Sequence, residues 1–207
     1  MKSRKQKLQW IGLTGGIGSG KTSVSELFKS RGISVVDADE ISHRVVKRGS
    51  AGLAKVVLAF GPDILTPEGD LNRRKLAEMV FGDREQLSRL ESIVHPLVQA
   101  EVKRIRDDLV DRGEPVAVYD VPLLFEKKLE SQFDQILVVG CDEETQIARI
   151  TKRSSLSREE ALQRIHSQLP LAQKKAQATW YIDNSGTLED LKKIFDSIFK
   201  KIQSGIV

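Results

Sequence analysis

The stretch GLTGGIGSGKTS, Gly12 to Ser23, follows the apolar run LQWIGL (Leu8–Leu13) and contains five glycines, two threonines and one lysine. After Ile17 no apolar side chain occurs until Val24. Written as a pattern it is Gly15-x-x-x-x-Gly20-Lys21-Thr22, with a strand-like run before it and a helix-like run after it, which is the context a phosphate-binding P-loop requires. Such a loop turns backbone N–H groups inward on phosphate oxygens, at angles and distances that side chains obstruct. The helix behind it opens with unpartnered N–H groups and a partial positive charge. The pattern therefore predicts a nucleoside triphosphate site lined by Gly15, Gly16, Ile17, Gly18, Ser19, Gly20, Lys21, Thr22 and Ser23. Lys21 is expected to reach the β- and γ-phosphates, and the Thr22 hydroxyl to ligate Mg²⁺. The pattern does not name the reaction.

Outward from this stretch, apolar runs of strand length alternate with helical periodicity. The runs are Leu8–Leu13, Ile33–Asp37, Pro115–Asp120, Gln135–Gly140 and Trp180–Asn184. Most are continuous and rich in Val and Ile, as strands covered on both faces are. Helical patterns cover Thr22–Arg31, Glu143–Arg153, Arg158–Leu169 and Leu188–Ile202. The alternation predicts an α/β fold with a parallel sheet and helices on both faces. Between the second and third runs the pattern breaks into Glu40–Arg48, Ala51–Phe60, Arg73–Phe81 and Arg84–Arg112, with Pro96 expected to kink the last or begin a new helix. This reads as an all-helical insertion at the sheet's carboxyl edge, where ligands of open α/β sheets bind.

Three groups of charged residues suit phosphoryl transfer. Asp37 and Asp39 follow the second strand and share a face if the strand persists; either caps the next helix or serves chemistry, and Asp39 is the expected carboxylate for an attacking hydroxyl. Asp120 ends the third strand and either holds Mg²⁺ or is a turn residue before Pro122. Arg149, Arg153, Arg158 and Arg164 surround the polar hinge SSLS (Ser154–Ser157), the arrangement of a lid that brings arginines over phosphates, with Arg153 the leading candidate. Their alternative is pairing with Glu159 and Glu160. His43, His95 and His166 lack metal-ligand spacing. His95, before Pro96, is a helix-boundary residue or a substrate contact.

The chain has 207 residues, 40% hydrophobic and 30% charged, with a net charge of +4, which suits one globular domain with an excursion and a polyphosphate substrate better than nucleic acid. Lys2, Arg4, Lys5 and Lys7 read as a solvated tail. One cysteine, Cys141, and the lack of a leader or membrane-length apolar run suggest a cytoplasmic protein.

GLTGGIGSGKTS, VVDADEISHRVV, LNRRKL, VHP, YDVPLLFE and YIDNSG, in this order from Ile11 to about Gly186, resemble the dephospho-CoA kinase family. The resemblance implies a P-loop kinase fold: a five-stranded parallel sheet flanked by helices, an all-helical substrate-binding insertion and a helical lid. Its implied domains are a nucleotide-binding core over 1–38, 115–152 and 170–207, a CoA-binding insertion over 39–114 and a lid over 153–169. It implies phosphorylation of the ribose 3′-hydroxyl of dephospho-CoA by ATP with Mg²⁺, the last step of coenzyme A synthesis, with no nucleic acid, membrane or obligate protein partner. Asp39 falls on the family's general base and Arg153 on its lid. Arg44, Arg73, His95 and Pro122, Leu123, Leu124 and Phe125 of the PLLFE segment fall on the acceptor side. Asn184 falls near the adenine. One departure is Ala178-Thr179, where the family commonly has Ala-Asp. Another small-molecule kinase, such as a nucleoside monophosphate kinase, shares the loop and lid. A GTP switch needs an Asn-Lys-x-Asp motif that is absent, and a nucleic-acid module needs basic–aromatic interleaving, whereas aromatics are 5%.

Overall fold

The structure, a computed structural model, describes residues 7–205; Lys2, Arg4 and Lys5 of the expected tail lie outside them. The strands are β1 (Gln9–Gly15), β2 (Ser34–Asp37), β3 (Val116–Asp120), β4 (Gln135–Gly140) and β5 (Trp180–Asp183), in the sheet order β2-β3-β1-β4-β5. The helices are α1 (Lys21–Ser30), α2 (Ala38–Val45), α3 (Ala51–Phe60), α4 (Arg73–Val80), α5 (Arg84–Asp111), α6 (Glu143–Ser154), α7 (Arg158–His166), α8 (Leu171–Ala176) and α9 (Leu188–Ser204). By its contacts the chain divides into two compact units, Met1–Val36 with Gly113–Val207, and Asp37–Arg112.

In the first unit β1 runs parallel to β3 and β4, and β4 to β5, in the P-loop kinase fold. Every residue of β3 and β4 is buried, which is why their sequences read as unbroken apolar runs. On one face Ile11, Leu13, Val116, Val118, Leu137, Val139 and Ile182 meet Val24 and Phe28 of α1 and Leu191, Phe195, Ile198, Phe199 and Ile202 of α9. Those α9 positions recur at spacings of three and four, one stripe of an amphipathic helix. On the other face Leu124 and Phe133 pack over Gly12, and Leu171 of α8 packs over Gly140. Register places Leu13 beside both Asp120 and Leu137, Gly15 beside Val139, and Gly140 beside Asp183. The glycine-rich loop, Asp120 and Asn184 therefore all leave the sheet at its carboxyl edge.

In the second unit α2, α3 and α4 pack against α5 around Val46, Val56, Phe60, Ile64, Leu76 and Val80. Side chains of Asp37, Ser50, Asn72 and Asp83 cap the four helices in turn. Pro96 does not divide α5, which is one helix of 28 residues. The ring costs a hydrogen bond and roughly 3 kcal/mol in a free helix, but packing against three neighbouring helices holds α5 together. The second strand also does not persist through Asp39. Asp37 Oδ1 accepts from the backbone N–H of Asp39 at 2.8 Å and of Glu40 at 3.1 Å, so α2 starts at Ala38 and the shared face of Asp37 and Asp39 never forms.

A third difference lies after α7. The periodicity predicts a helix to Leu169, yet α7 stops at His166 and Pro170 stands before α8. The residue before a proline is disfavoured in the helical region. Freed from the helix, Leu169 donates its N–H to Glu126 Oε1 at 3.0 Å. The same oxygen lies 2.7 Å from Nζ of Lys174, whose side chain is only 1% exposed. Burial pushes the Glu126 carboxyl up, but Lys174 and the Leu169 N–H together outweigh it and hold its pKa below 4.5.

Leu124→Ala, at a fully buried position, is expected to cost about 2–5 kcal/mol in denaturant unfolding. Glu126→Gln strips a buried ammonium of its countercharge and is expected to lower Tm at pH 7 by about 5 °C or more. The native carboxyl has a depressed pKa, so its contribution is present above 4.5 and is lost as pH falls through the lowered value. The Tm gap between parent and variant should therefore narrow on acidification to below that range; a constant gap would show that the carboxylate charge is not what stabilises.

Candidate active site

Helix α1 has no side-chain N-cap and no acidic residue in its first turn; Gly20 stands at its N-cap position. Helices α2 to α7 and α9 all carry side-chain caps. The Ser23 N–H turns back to Gly20 O at 3.0 Å, but the other N–H groups that open α1 have no intrahelical acceptor, and here no side chain competes with an incoming anion for them. Gly20 has φ 85°, and a Cβ there would stand 2.1 Å from Asn184 Nδ2, so both conformation and space demand glycine. Behind the loop, Lys21 Nζ pairs with Oδ1 of Asp120, while Ser25 Oγ donates to Oδ2 at 2.7 Å. Asp120 is 3% exposed. A buried carboxylate thus holds the lysine at the mouth of the helix.

Side chains from distant elements brace the loop. Asn184 Nδ2 donates to Ser19 O at 2.8 Å, so this amide supports the loop's backbone. Arg149 donates to Asn184 O at 2.9 Å and, more weakly, to Ser19 O at 3.3 Å and Gly18 O at 3.4 Å. Gln146 Nε2 donates to Ile17 O at 2.6 Å, and Ile17 N donates to Gln168 Oε1 at 2.8 Å. Neither glutamine stands out in the sequence, because a single Gln carries no pattern. The four arginines around the hinge divide by environment. Arg149 faces the loop, and Arg158 pairs with Glu144 at 2.8 Å. Arg153 and Arg164 are exposed, and their side chains have no partner among the described residues. Ser155, at φ 53°, ends α6 in the left-handed conformation, and Ser157 opens α7 with a capping box.

The PLLFE segment continues β3. Val121 N donates to Leu13 O at 2.9 Å, and Thr14 Oγ1 to Pro122 O at 3.1 Å. Leu124 and Phe125 are buried in the core, whereas Leu123 is 40% exposed. Of the four expected contacts in this segment Pro122 and Leu123 are open to a ligand, whereas Leu124 and Phe125 support it from beneath. A cavity of about 540 Å³ beside Gly16 is lined by Gln146, His166, Gln168 and Lys174 among others. A second, of about 610 Å³, lies at the amino edge of the sheet by Gln9, Pro115 and Asp134, where the Asp134 carboxylate is taken up by Lys7 Nζ at 2.8 Å and by the Trp10 N–H at 2.9 Å.

In the second unit Asp39 is exposed in the first turn of α2. Arg44 pairs with Glu101 at 3.0 Å, and Arg104 holds the same carboxylate at 2.8 Å. The hydrogen bond from Arg104, helped by the Arg44 charge, keeps the Glu101 pKa low. Arg73 Nη2 donates to His43 O at 3.4 Å, and His95 Nε2 lies 3.8 Å from Glu91 Oε1. Thr179, the departure from the family pattern, accepts from Ile136 N at 3.1 Å, so its hydroxyl caps the start of β4. Burial pushes the Cys141 thiol up to about 11, leaving it inert near neutrality.

The same architecture occurs in solved proteins. A Thermus thermophilus protein, TT1252, superposes with TM-score 0.77 at 36% identity, covering 93% of this chain and 97% of its own. A dephospho-CoA kinase from Campylobacter jejuni superposes with TM-score 0.74 at 26% identity, covering 96% and 99%. A dephospho-CoA kinase from Bdellovibrio bacteriovorus is 45% identical over 196 residues, 95% of this chain and 97% of the relative. No helix among the described residues is long and apolar enough to cross a membrane. The dephospho-CoA kinase profile matches residues 9–190, a span that takes in the uncapped α1, the Lys21–Asp120 pair and the arginine-bearing hairpin alike, and the chain belongs to that family of kinases.

Proposed function

We propose that the protein transfers the γ-phosphoryl group of ATP to the ribose 3′-hydroxyl of dephospho-CoA, giving coenzyme A and ADP in the last step of coenzyme A synthesis. The observation that carries this reading is the uncapped, acid-free amino end of α1 with Lys21 poised beside it, in a chain of this family. The family match does not favour a nucleoside monophosphate kinase.

The phosphates of ATP would lie in the loop Gly15 to Ser23, on those N–H groups of the loop and of the amino end of α1 that are not already bonded within the protein, as the Ile17 N–H is to Gln168. Lys21 would exchange Asp120 for β- and γ-oxygens, and the charge that spreads in the transition state would be met by Lys21 and the unpartnered Arg153. The donor set at the loop is hard oxygen only, the Thr22 hydroxyl and the Asp120 carboxylate. Among the described residues no group of three or more His, Cys, Asp or Glu gathers elsewhere. That set suits Mg²⁺, which is commonly held by one or two protein oxygens together with substrate phosphates. Thr22 and Asp120 would hold it, and it would supply neutralisation of the triphosphate charge. Asn184 would act on ATP by holding the loop. Asp39 is the proposed general base: it would align the 3′-hydroxyl for in-line attack and accept its proton. Arg44, Arg73 and His95, with Pro122 and Leu123, are the proposed acceptor contacts. The insertion over 39–114 is the proposed CoA-binding part, and 153–169 the lid. Nothing in this chemistry needs nucleic acid, membrane or a protein partner, and a cytoplasmic location fits it.

ATP with dephospho-CoA should give turnover, with adenosine and AMP as poor acceptors; preference for AMP would overturn the assignment. Asp39→Asn is expected to keep ATP affinity and lose about 10²–10⁴ in kcat. If that variant turns over like the parent, Asp39 is not the base. Lys21→Ala should weaken ATP binding and rate together, by about 10²-fold or more in kcat/KM.

A further inference from the structure

Ile17 is held from three sides. Its N–H donates to Gln168 Oε1 at 2.8 Å, its carbonyl accepts from Gln146 Nε2 at 2.6 Å, and its side chain packs against the cluster of Ile147, Ile150 and Ala161 in the α6–α7 hairpin. Gln146 is 7% exposed. The neighbouring Gly16 leaves room for it, since a Cβ there would stand 2.7 Å from Gln146 Nε2. The backbone fixes the polarity of both bonds: an N–H only donates and a carbonyl only accepts. Position 168 therefore requires an acceptor and position 146 a donor.

The two glutamines also stand in register with the hairpin's arginines. Gln146, Arg149 and Arg153 recur at i, i+3 and i+7 on α6 and share one helix face. Gln168 follows Arg164 by four residues, just past the end of α7. Arg153 and Arg164 are exposed and without side-chain partners among the described residues, so no ion pair sets their position. What sets it is the attachment of the hairpin that carries them.

We propose that Gln146 and Gln168 are positioning residues which, by clamping the two backbone groups of Ile17, lock the arginine-bearing hairpin α6–α7 in register with the phosphate loop. This rests on the phosphoryl-transfer reading above. The clamp leaves the amino end of α1 and Lys21 untouched. It therefore acts on the transition state through the arginines rather than on the ground-state grip on ATP.

Amide hydrogen exchange of the ligand-free protein tests the clamp apart from any activity. The Ile17 amide should be protected in the parent, lose about tenfold of that protection in Gln168→Met, and regain most of it in Gln168→Glu, which restores an acceptor. Kinetics then test the coupling. Gln146→Glu and Gln168→Glu add the same charge beside the same residue, yet only the first turns a carboxylate on a carbonyl. Gln146→Glu should lower kcat at least about tenfold more than Gln168→Glu, while the Kd of a fluorescent ATP analogue changes by less than about threefold between the two. A merely structural role would shift Tm and affinity in both variants alike. Equal kcat losses in the two variants, or an Ile17 amide that exchanges equally in parent and Gln168→Met, would overturn the proposal. A parent that exhibits the amide pattern but does not phosphorylate dephospho-CoA would overturn the assigned function and leave the clamp standing.

Discussion

A helix that begins without a cap leaves several backbone donors aimed at one point, and the rest of the first unit is organised around that vacancy in α1. Glycine at the N-cap position and the absence of acid in the first turn keep the donors free. A loop built of glycines loses more conformational freedom on ordering than any other, so it must be held from outside. The holding groups arrive from three places: Asn184 after β5, Arg149 and Gln146 on α6, and Gln168 after α7. Each bonds a backbone carbonyl or N–H of the loop or its support and leaves the anion-facing N–H groups of α1 alone. The loop is rigid on its outer side and open on its inner side.

Two lysines in this unit meet carboxylates under different conditions. Lys174 is sealed, its side chain 1% exposed against Glu126. A charge so far from water is stable only with its partner in place, and this pair ties the segment after β3 to the start of α8. Lys21 is 19% exposed against a nearly buried Asp120. Solvent reaches it, so an anion can take it from the carboxylate without stranding either charge in apolar surroundings. The same residue pairing thus serves as a fixed tie at one place and an exchangeable one at the other, and the difference is access to water.

Much of this was legible in contiguous residues. The eight positions from Gly15 to Thr22 carry the phosphate loop in one spacing, and the five apolar runs mark the five strands within one or two residues. The stripe of Leu191, Phe195, Ile198, Phe199 and Ile202 announces α9. Local chemistry was ambiguous where two short-range preferences competed. Pro96 argues for a break that packing overrides, Pro170 ends α7 earlier than its periodicity suggests, and Asp37 proves to be a helix cap. The PLLFE segment reads as a ligand wall, yet two of its side chains point into the core.

Sequence alone determined the elements whose cause is local: a glycine loop between a strand and a helix, continuous apolar runs for the strands, apolar stripes of period 3.6 for the helices, and caps at helix starts. Tertiary structure alone decided which polar groups meet. Lys21 finds Asp120 across 99 residues, Gln146 reaches Ile17 across 129, and Gln168 reaches it across 151. Periodicity and propensity act over a few residues along the chain, whereas these bonds depend on how five strands are ordered and which loops that order brings to one edge. A lone glutamine or lysine therefore carries no sign of its partner until the sheet has assembled.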